Sequence, residues 1–136
     1  MANLRSNLDT AMFKTLNVQA ITDVATGGVH NSVAPPNIKA PYVIFQAVSK
    51  LDEHSFSGRF GNAVYIVKAI SKSPWPKEAG DVDTQIDTAL EDAALSITGY
   101  TLLYCRRESD FYAVEEEGSE VWQHVGGYYR VIADQT

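Results

Sequence analysis

Two apolar segments near the middle of the chain alternate with the period of a β-strand. They are Tyr42 to Lys50 and Ala63 to Ser71, both rich in Val, Ile, Tyr and Phe and free of Pro and Gly. That composition is typical of a half-buried pleated surface. In the second segment Lys68 is the only charge on either face. We therefore predict two strands whose faces are both mostly covered, by helices or by a neighbouring subunit.

A polar segment, residues 51–62, separates these strands and predicts the loop that connects them. It carries Phe56 and Phe60 among Ser, Gly and charged residues. Apolar rings in such surroundings either fold back over the sheet or contact a partner. Both interpretations stand at the level of the sequence.

Two other segments have the apolar spacing of amphipathic helices. The first runs from Leu4 to about Leu16, with Asn3 as a suitable N-cap. The second runs from Glu78 to Leu95, and its acidic start complements the positive end of the helix dipole. Between the helices, a short helical turn ends at Gly27, and residues 29–33 are the part of the following turn-rich stretch that can pair as an edge strand.

The last third of the chain predicts a second pair of strands. Tyr100 to Arg107 alternates, with Tyr100, Leu102 and Tyr104 on one face, and Val121 to Ala133 forms the last strand, bent or bulged near Gly126-Gly127. A mostly polar segment connects these two strands. Its part from Glu115 to Glu120 predicts a mobile, exposed acidic hairpin tip.

The order of helix, hairpin, helix and hairpin predicts the fold class. Antiparallel hairpins with helices on one side give an α+β fold. We expect a mainly antiparallel sheet of about four to five strands, with two principal helices packed on it. A chain of 136 residues fits a single domain over residues 1–136.

Charge and cysteine content restrict the classes of function that fit the chain. The formal net charge is -6, which argues against a surface built to hold nucleic acid, because such surfaces cluster Lys and Arg. The single cysteine, Cys105, excludes an internal disulfide and sits in an apolar strand pattern typical of a buried residue. The start of the chain lacks the apolar core of a signal peptide, and no run is long enough to span a bilayer, so we expect a soluble, cytoplasmic protein without membrane contact.

Motifs for chemistry are missing from the sequence. It contains no phosphate-binding glycine loop, no dinucleotide fingerprint, no nucleophile elbow and no zinc-protease motif. We therefore predict no enzyme activity, no catalytic residue, no metal and no cofactor. The alternative from a different class is a small metal-dependent hydrolase, in which Asp81, Asp83 and Asp87 of the acidic helix and His54 would surround a divalent cation.

Five segments, taken in order, resemble the tail terminator, or tail-to-head joining, proteins of long-tailed bacteriophages. They are the N-terminal amphipathic helix, Ala40 to Phe45, Ala63 to Ile70, Ile86 to Leu90 and Gly127 to Val131. The resemblance extends from Leu4 to Asp134 and rests on the order and spacing of short motifs. The longer acidic segment Glu115 to Glu120 departs from the family pattern.

The resemblance implies a small α+β virion protein without catalytic residues. It implies assembly as a sixfold ring on the head-proximal end of a finished tail tube, where the ring stops polymerisation and presents the surface that joins the filled head. Its partners would be copies of itself, the tail tube protein and a head-completion or connector protein, with DNA passing through without specific binding. Another ring component of the neck, or a tube-like subunit, is the alternative within the same class.

A closed ring needs two unlike contact patches on each subunit. Aromatic residues supply the candidates for the oligomer or tube interface, together with one arginine: Phe56, Arg59, Phe60, Phe111, Tyr112 and Trp122. The candidates for a channel wall or an exposed acidic loop are Glu115, Glu116, Glu117 and Glu120. Carboxylates that face a channel would repel the DNA backbone and keep it sliding.

Overall fold

The computed structural model describes the backbone of residues 4–55, 58–91 and 93–135, and the side chains of residues 5–49, 60–91 and 93–134. The elements in chain order are α1 (Leu4–Leu16), α2 (Gln19–Thr22), β1 (Val29–Asn31), β2 (Tyr42–Ser55), β3 (Gly58–Ser71), α3 (Lys77–Leu90), β4 (Tyr100–Glu117) and β5 (Glu120–Gln135). The strands form one five-stranded sheet in the order β1-β2-β3-β5-β4. β1 runs parallel to β2, and the other neighbours are antiparallel. The predicted α+β class is confirmed.

The helices cover one face of the sheet, which we call the helix face. Strand residues at alternate positions point to this face, and Phe45, Tyr65 and Tyr129 are its large, fully buried side chains. They pack with Met12 of α1 and Ile86 of α3 in one hydrophobic cluster. Aromatic side chains bury much apolar area, so this layer supplies a large share of the favourable free energy of folding.

The opposite face, which we call the open face, is less covered than the sequence predicts. Its central apolar side chains are only half-buried: Val64, Ile66, Tyr128 and Ile132. They are absent from the cluster that the helices bury. In the isolated chain, therefore, only the helix face has the full cover expected for both faces.

The prediction of a loop over residues 51–62 is wrong. β2 and β3 stay paired through that segment, from Leu51 opposite Asn62 to Ser55 opposite Gly58. Polar residues at this position favour a loop, but an antiparallel ladder is held by main-chain hydrogen bonds and tolerates polar side chains near a hairpin end. The register shifts once, between Ala47 and Ser49.

The predicted polar segment after Arg107 is wrong, and the acidic segment before β5 lies at an exposed hairpin tip as predicted but is not a loop. β4 is continuous to Glu117, so Glu115 to Glu117 belong to a paired strand rather than to a loop. The turn is Gly118-Ser119, and Gly118 has a φ of 62°, in the left-handed region that glycine adopts cheaply. The charge run therefore marks the end of a ladder whose turn is only two residues long.

The bulges lie in β4 and not in β5 as predicted. β5 keeps its register with β3 through Gly126-Gly127, whereas β4 shifts between Leu102 and Tyr104 and again between Arg107 and Ser109. The first shift turns Tyr104 to the open face, so it does not share a face with Leu102 as expected. Irregularities on an edge strand also discourage pairing with other chains.

The predictions for the helices and the short strand are mostly confirmed. α1 has the predicted bounds, and β1 is the predicted edge strand. α3 ends at Leu90 rather than Leu95, because Glu91 has extended backbone with a ψ of 118°. Cys105 is buried as expected. None of the helices within the described ranges is long and apolar enough to span a membrane.

Candidate interaction surfaces

Part of the predicted interface lies at the β2–β3 hairpin end. Phe56 and the side chain of Arg59 fall outside the described residues. Phe60 is half-buried and lies opposite Asp134 of β5. The assignment of these three residues to an interface stays a prediction.

Phe111 lies on the open face. Its ring packs edge-on against Tyr128, with a centroid distance of 6.1 Å and an interplanar angle of 88°. The ammonium of Lys68 lies 5.4 Å from the ring centroid of Phe111, within cation–π range. Phe111 therefore widens the apolar centre of the open face instead of projecting from a loop.

Trp122 borders a groove between the open face and the chain segment 32–38. The groove has a volume of about 460 Å³, and buried Ile44 and Ile70 line it together with Trp122. Lys72 lies over the indole, with its Nζ 4.6 Å from the ring centroid. Trp122 is thus half-buried under a cation of its own chain.

The four predicted glutamates have different surroundings. Glu115 accepts a hydrogen bond from Nε2 of His124 at 2.7 Å, and Glu120 lies 4.0 Å from Lys72. Glu116 and Glu117 are exposed. The glutamates therefore do not act as one uniform acidic surface, because Glu115 is engaged within the sheet.

His124 is a buried histidine in a cluster of charges. Burial lowers the pKa of His124, the charge of Lys68 lowers it further, and Glu115 opposes both effects, with a net downward shift. Burial likewise lowers the pKa of Lys68, against the opposing charge of Glu115. The hydroxyl of Tyr42 belongs to the same surroundings, since its pKa is raised first by burial and then by Glu115. The folded chain therefore favours neutral His124.

The carboxylates proposed for a hydrolase have partners of their own: a cation for Asp81 and for Asp83, and a tyrosine hydroxyl for Asp87. Asp83 binds Arg107 through two hydrogen bonds of 3.0 Å, and Asp87 accepts a hydrogen bond of 2.9 Å from Tyr129. Asp81 pairs with Lys77 at 2.8 Å. Within the described ranges, no three His, Cys, Asp or Glu side chains are placed to hold a metal ion. The side chain of the remaining candidate, His54, falls outside those ranges.

Arg107, which the sequence did not single out, joins α3 to the sheet. Its guanidinium also donates to the carbonyl oxygen of Gly126 at 2.5 Å and to the hydroxyl of Tyr129 at 3.4 Å. Burial alone would lower the pKa of Arg107, but the carboxylate of Asp83 and the hydroxyl of Tyr129 raise it overall. These contacts span 19 to 24 residues of sequence, so no local pattern could have revealed them.

A second feature is an exposed patch that we call the aromatic pad, formed by Trp75, Tyr112 and Val114, of which the sequence had identified only Tyr112 as an interface candidate. Their exposed fractions are 72%, 58% and 46%. Gln123 holds the pad in place from below, because its Nε2 donates to the carbonyl oxygen of Pro74 at 3.1 Å and its Oε1 accepts from the hydroxyl of Tyr112 at 3.0 Å. The signal in the sequence is a tryptophan between two prolines, Pro74 and Pro76.

The comparisons with known proteins agree with the resemblance seen in the sequence. The family described as Tail completion protein gp17 matches residues 10–131 of the chain. A search of curated proteins gave no match.

Among solved structures, the chain is similar in fold to a chain of the virion of a native gene transfer agent particle. The identity is 13%, the TM-score is 0.81, and the match covers 98% of this chain and 99% of the other. At this identity the likeness establishes the fold alone. Because the family match spans most of the chain, the protein belongs to the tail completion protein gp17 family and has a structural role in the phage tail.

Proposed function

We propose that the protein forms a closed homo-oligomeric ring, a hexamer, on the head-proximal end of the completed tail tube. The ring ends tube polymerisation and provides the surface to which the filled head joins. The observation that carries the proposal is the family match over residues 10–131. The agreement in fold along nearly the whole chain with a virion component supports it.

The asymmetry of the subunit suits a ring of this kind. Cyclic symmetry requires each subunit to offer two different, complementary patches. The chain has two such unlike surfaces in its described part: the half-buried open face and the aromatic pad on the other side of the sheet. Further interface candidates are Phe56, Arg59, Phe60, Phe111 and Trp122.

A ring that terminates the tube must also have two different ends. One end of the ring has to match the growing tube, and the other has to reject another tube subunit while it accepts a head-completion or connector protein. Exposed Glu116 and Glu117 are candidates for the rejecting end or for the channel wall, because they would repel acidic partners and DNA. DNA passes through without specific binding, and the protein remains in the virion, without a cofactor, at the head-proximal end of the tail.

Loss of the protein tests this role. In a phage that lacks it, tails should grow longer than normal and fail to join heads, while heads still fill with DNA. A different ring component of the neck would leave tail length unchanged and block head joining alone. Tail lengths measured by negative-stain electron microscopy separate the two roles, and normal-length tails that join heads would exclude both.

A further inference from the structure

We propose that protonation of His124 opens the tip of the β4–β5 hairpin. The tip comprises residues 115–122, which we call the ribbon. In the open state the ribbon separates from the rest of the sheet, and water reaches the imidazole of His124. The proposal concerns a single chain and does not depend on the ring.

The ribbon extends beyond the other strands. β3 pairs with β5 only as far as Ser71 opposite Gln123, whereas β4 and β5 stay paired to Glu117 opposite Glu120. In the part of the chain that the structure describes, no third strand lies beside the ribbon. A two-stranded segment is marginally stable in water without such support. The ribbon should therefore open at a lower free energy than the whole sheet.

Clefts separate the ribbon from the body of the fold. One cleft, of about 180 Å³, lies where Trp122 meets Tyr42 and Ile70. Another, of about 290 Å³, lies between the ribbon and Lys72 with Pro74. Lys72 interacts with the ribbon through its charge, but its side chain is 49% exposed, and exposed ion pairs contribute little to stability. The ribbon is therefore held less firmly than the central strands.

His124 lies at the base of the ribbon, opposite Ile70 of β3, and it is only 7% exposed. Its Nε2 donates to the carboxylate of Glu115 at 2.7 Å, so the neutral ring carries its proton on Nε2 and its Nδ1 is an acceptor. Nδ1 is buried, and the described residues provide no hydrogen-bond partner for it.

A second proton, on Nδ1, is unfavourable while the ribbon is closed. It would place the N–H group of a cation in a buried site where the described residues offer no acceptor. The titratable groups around the ring are Tyr42 of β2, Lys68 of β3, and Glu115 and Glu117 of β4. Burial and the charge of Lys68 outweigh the attraction of Glu115, so the pKa of His124 is lowered.

Opening the ribbon removes this penalty without unfolding the chain. In the open state the imidazole is hydrated, and its pKa returns towards the ordinary value of about 6.5. The open state then binds more protons than the closed state, so acidification below about pH 6.5 favours opening. From about pH 7.5 to about pH 5.5, the ratio of open to closed chains rises by up to about tenfold.

Amide hydrogen exchange measured by NMR tests the opening. After correction for the intrinsic exchange rate at each pH, the protection factors of the ribbon amides should fall by up to about tenfold from about pH 7.5 to about pH 5.5. At the higher pH they should be lower than those of β3, whose amides exchange only when the sheet itself unfolds. Ribbon amides protected as strongly as β3, or equally protected at both pH values, would overturn the proposal.

His124→Gln is the matched control, because glutamine keeps a donor for Glu115 and does not titrate. Its ribbon amides should have the same protection at both pH values, and a fall equal to that of the wild type would overturn the proposal. The ring titration of His124 in the wild type, assigned through the backbone among the three histidines, requires no variant. We expect a midpoint below about 6.5, and a midpoint at or above this value would also overturn the proposal.

Discussion

Arg107 connects α3 to the two strands at the edge of the sheet, and the connection is electrostatic. Its guanidinium binds Asp83 of α3 and the carbonyl oxygen of Gly126 in β5, while it is itself part of β4. A charge in this half-enclosed position is stable only with its partners, because removal of one partner leaves the other charge without compensation. The sequence showed an acidic helix and isolated arginines, but not which of them would meet.

Replacing this arginine should destabilise the fold. We expect Arg107→Met to lower the free energy of unfolding by about 3 kcal/mol, since Asp83 then loses its partner in a largely buried site. Urea unfolding followed by circular dichroism measures the change. Lys77→Met is the control, because it breaks the exposed pair with Asp81, and its midpoint should stay close to that of the wild type. Equal midpoints for both variants would contradict this account of Arg107.

His124 should make stability depend on pH. Its pKa in the folded chain lies below its usual 6.5, so the unfolded chain binds more protons as the pH falls through 6.5, and stability is then lost. The titratable groups that surround it are Lys68, Glu115, Glu117 and Tyr42.

A variant separates this contribution from those of other groups. His124→Gln keeps a donor for Glu115 and removes the titration, so its melting temperature should fall less than that of the wild type between about pH 7.5 and about pH 5.5. If the melting temperatures of both proteins fall equally between these pH values, the pH dependence comes from other groups.

At the scale of elements, hydrophobic periodicity predicted where strands and helices lie better than where they end. α1 and the apolar halves of β2 and β3 carry clear patterns, and the structure confirms them. The ends of the hairpins carry no clear pattern, because main-chain pairing continues through polar residues once the strands are aligned. The bulges of β4 depend on how the edge strand fits its neighbour, and alternation along one strand does not contain that information.

The glycine pair in β5 also has a reason that only the fold reveals. A Cβ atom on Gly126 would lie 2.1 Å from the carbonyl oxygen of Val67 and 2.5 Å from the Cα of Lys68. The two strands approach too closely for any side chain at this point. The sequence predicts a bend or bulge at this pair, whereas Gly126 permits a close approach between β3 and β5 in regular register. Gly127 leaves room for Arg107 and for the carbonyl oxygen of Ser109 in β4.

Alanine substitutions at two glycines should therefore have opposite effects. Gly126→Ala should lower the free energy of unfolding by about 1 to 3 kcal/mol, because the new methyl group overlaps main-chain atoms. Gly80→Ala meets nothing within 4 Å in α3, and it should raise the free energy by about 0.4 to 1 kcal/mol. Thermal and urea unfolding of both variants check the signs. If Gly126→Ala leaves the free energy of unfolding unchanged, the two strands can move apart at this point without destabilising the fold.

At the scale of the whole molecule, the candidate surfaces were only partly predictable. The sequence identified Tyr112 and Phe111 as aromatic residues beyond the needs of a core, and the structure places them on different faces of β4. The sequence did not identify Trp75 as a surface residue, because its exposure depends on how the segment between β3 and α3 lies against the sheet. The family resemblance, which rested on the order of segments along the whole chain, is confirmed by the match over residues 10–131.

The measurement that tests the central claim most directly is cryo-electron microscopy of the head-proximal end of purified tails that carry an affinity-tagged copy of this protein. The account predicts one closed ring of six copies as the last layer of the tube, with the fold described above fitting each subunit density. Tails whose last layer is tube protein, with the tagged chain absent or located elsewhere in the particle, would contradict it.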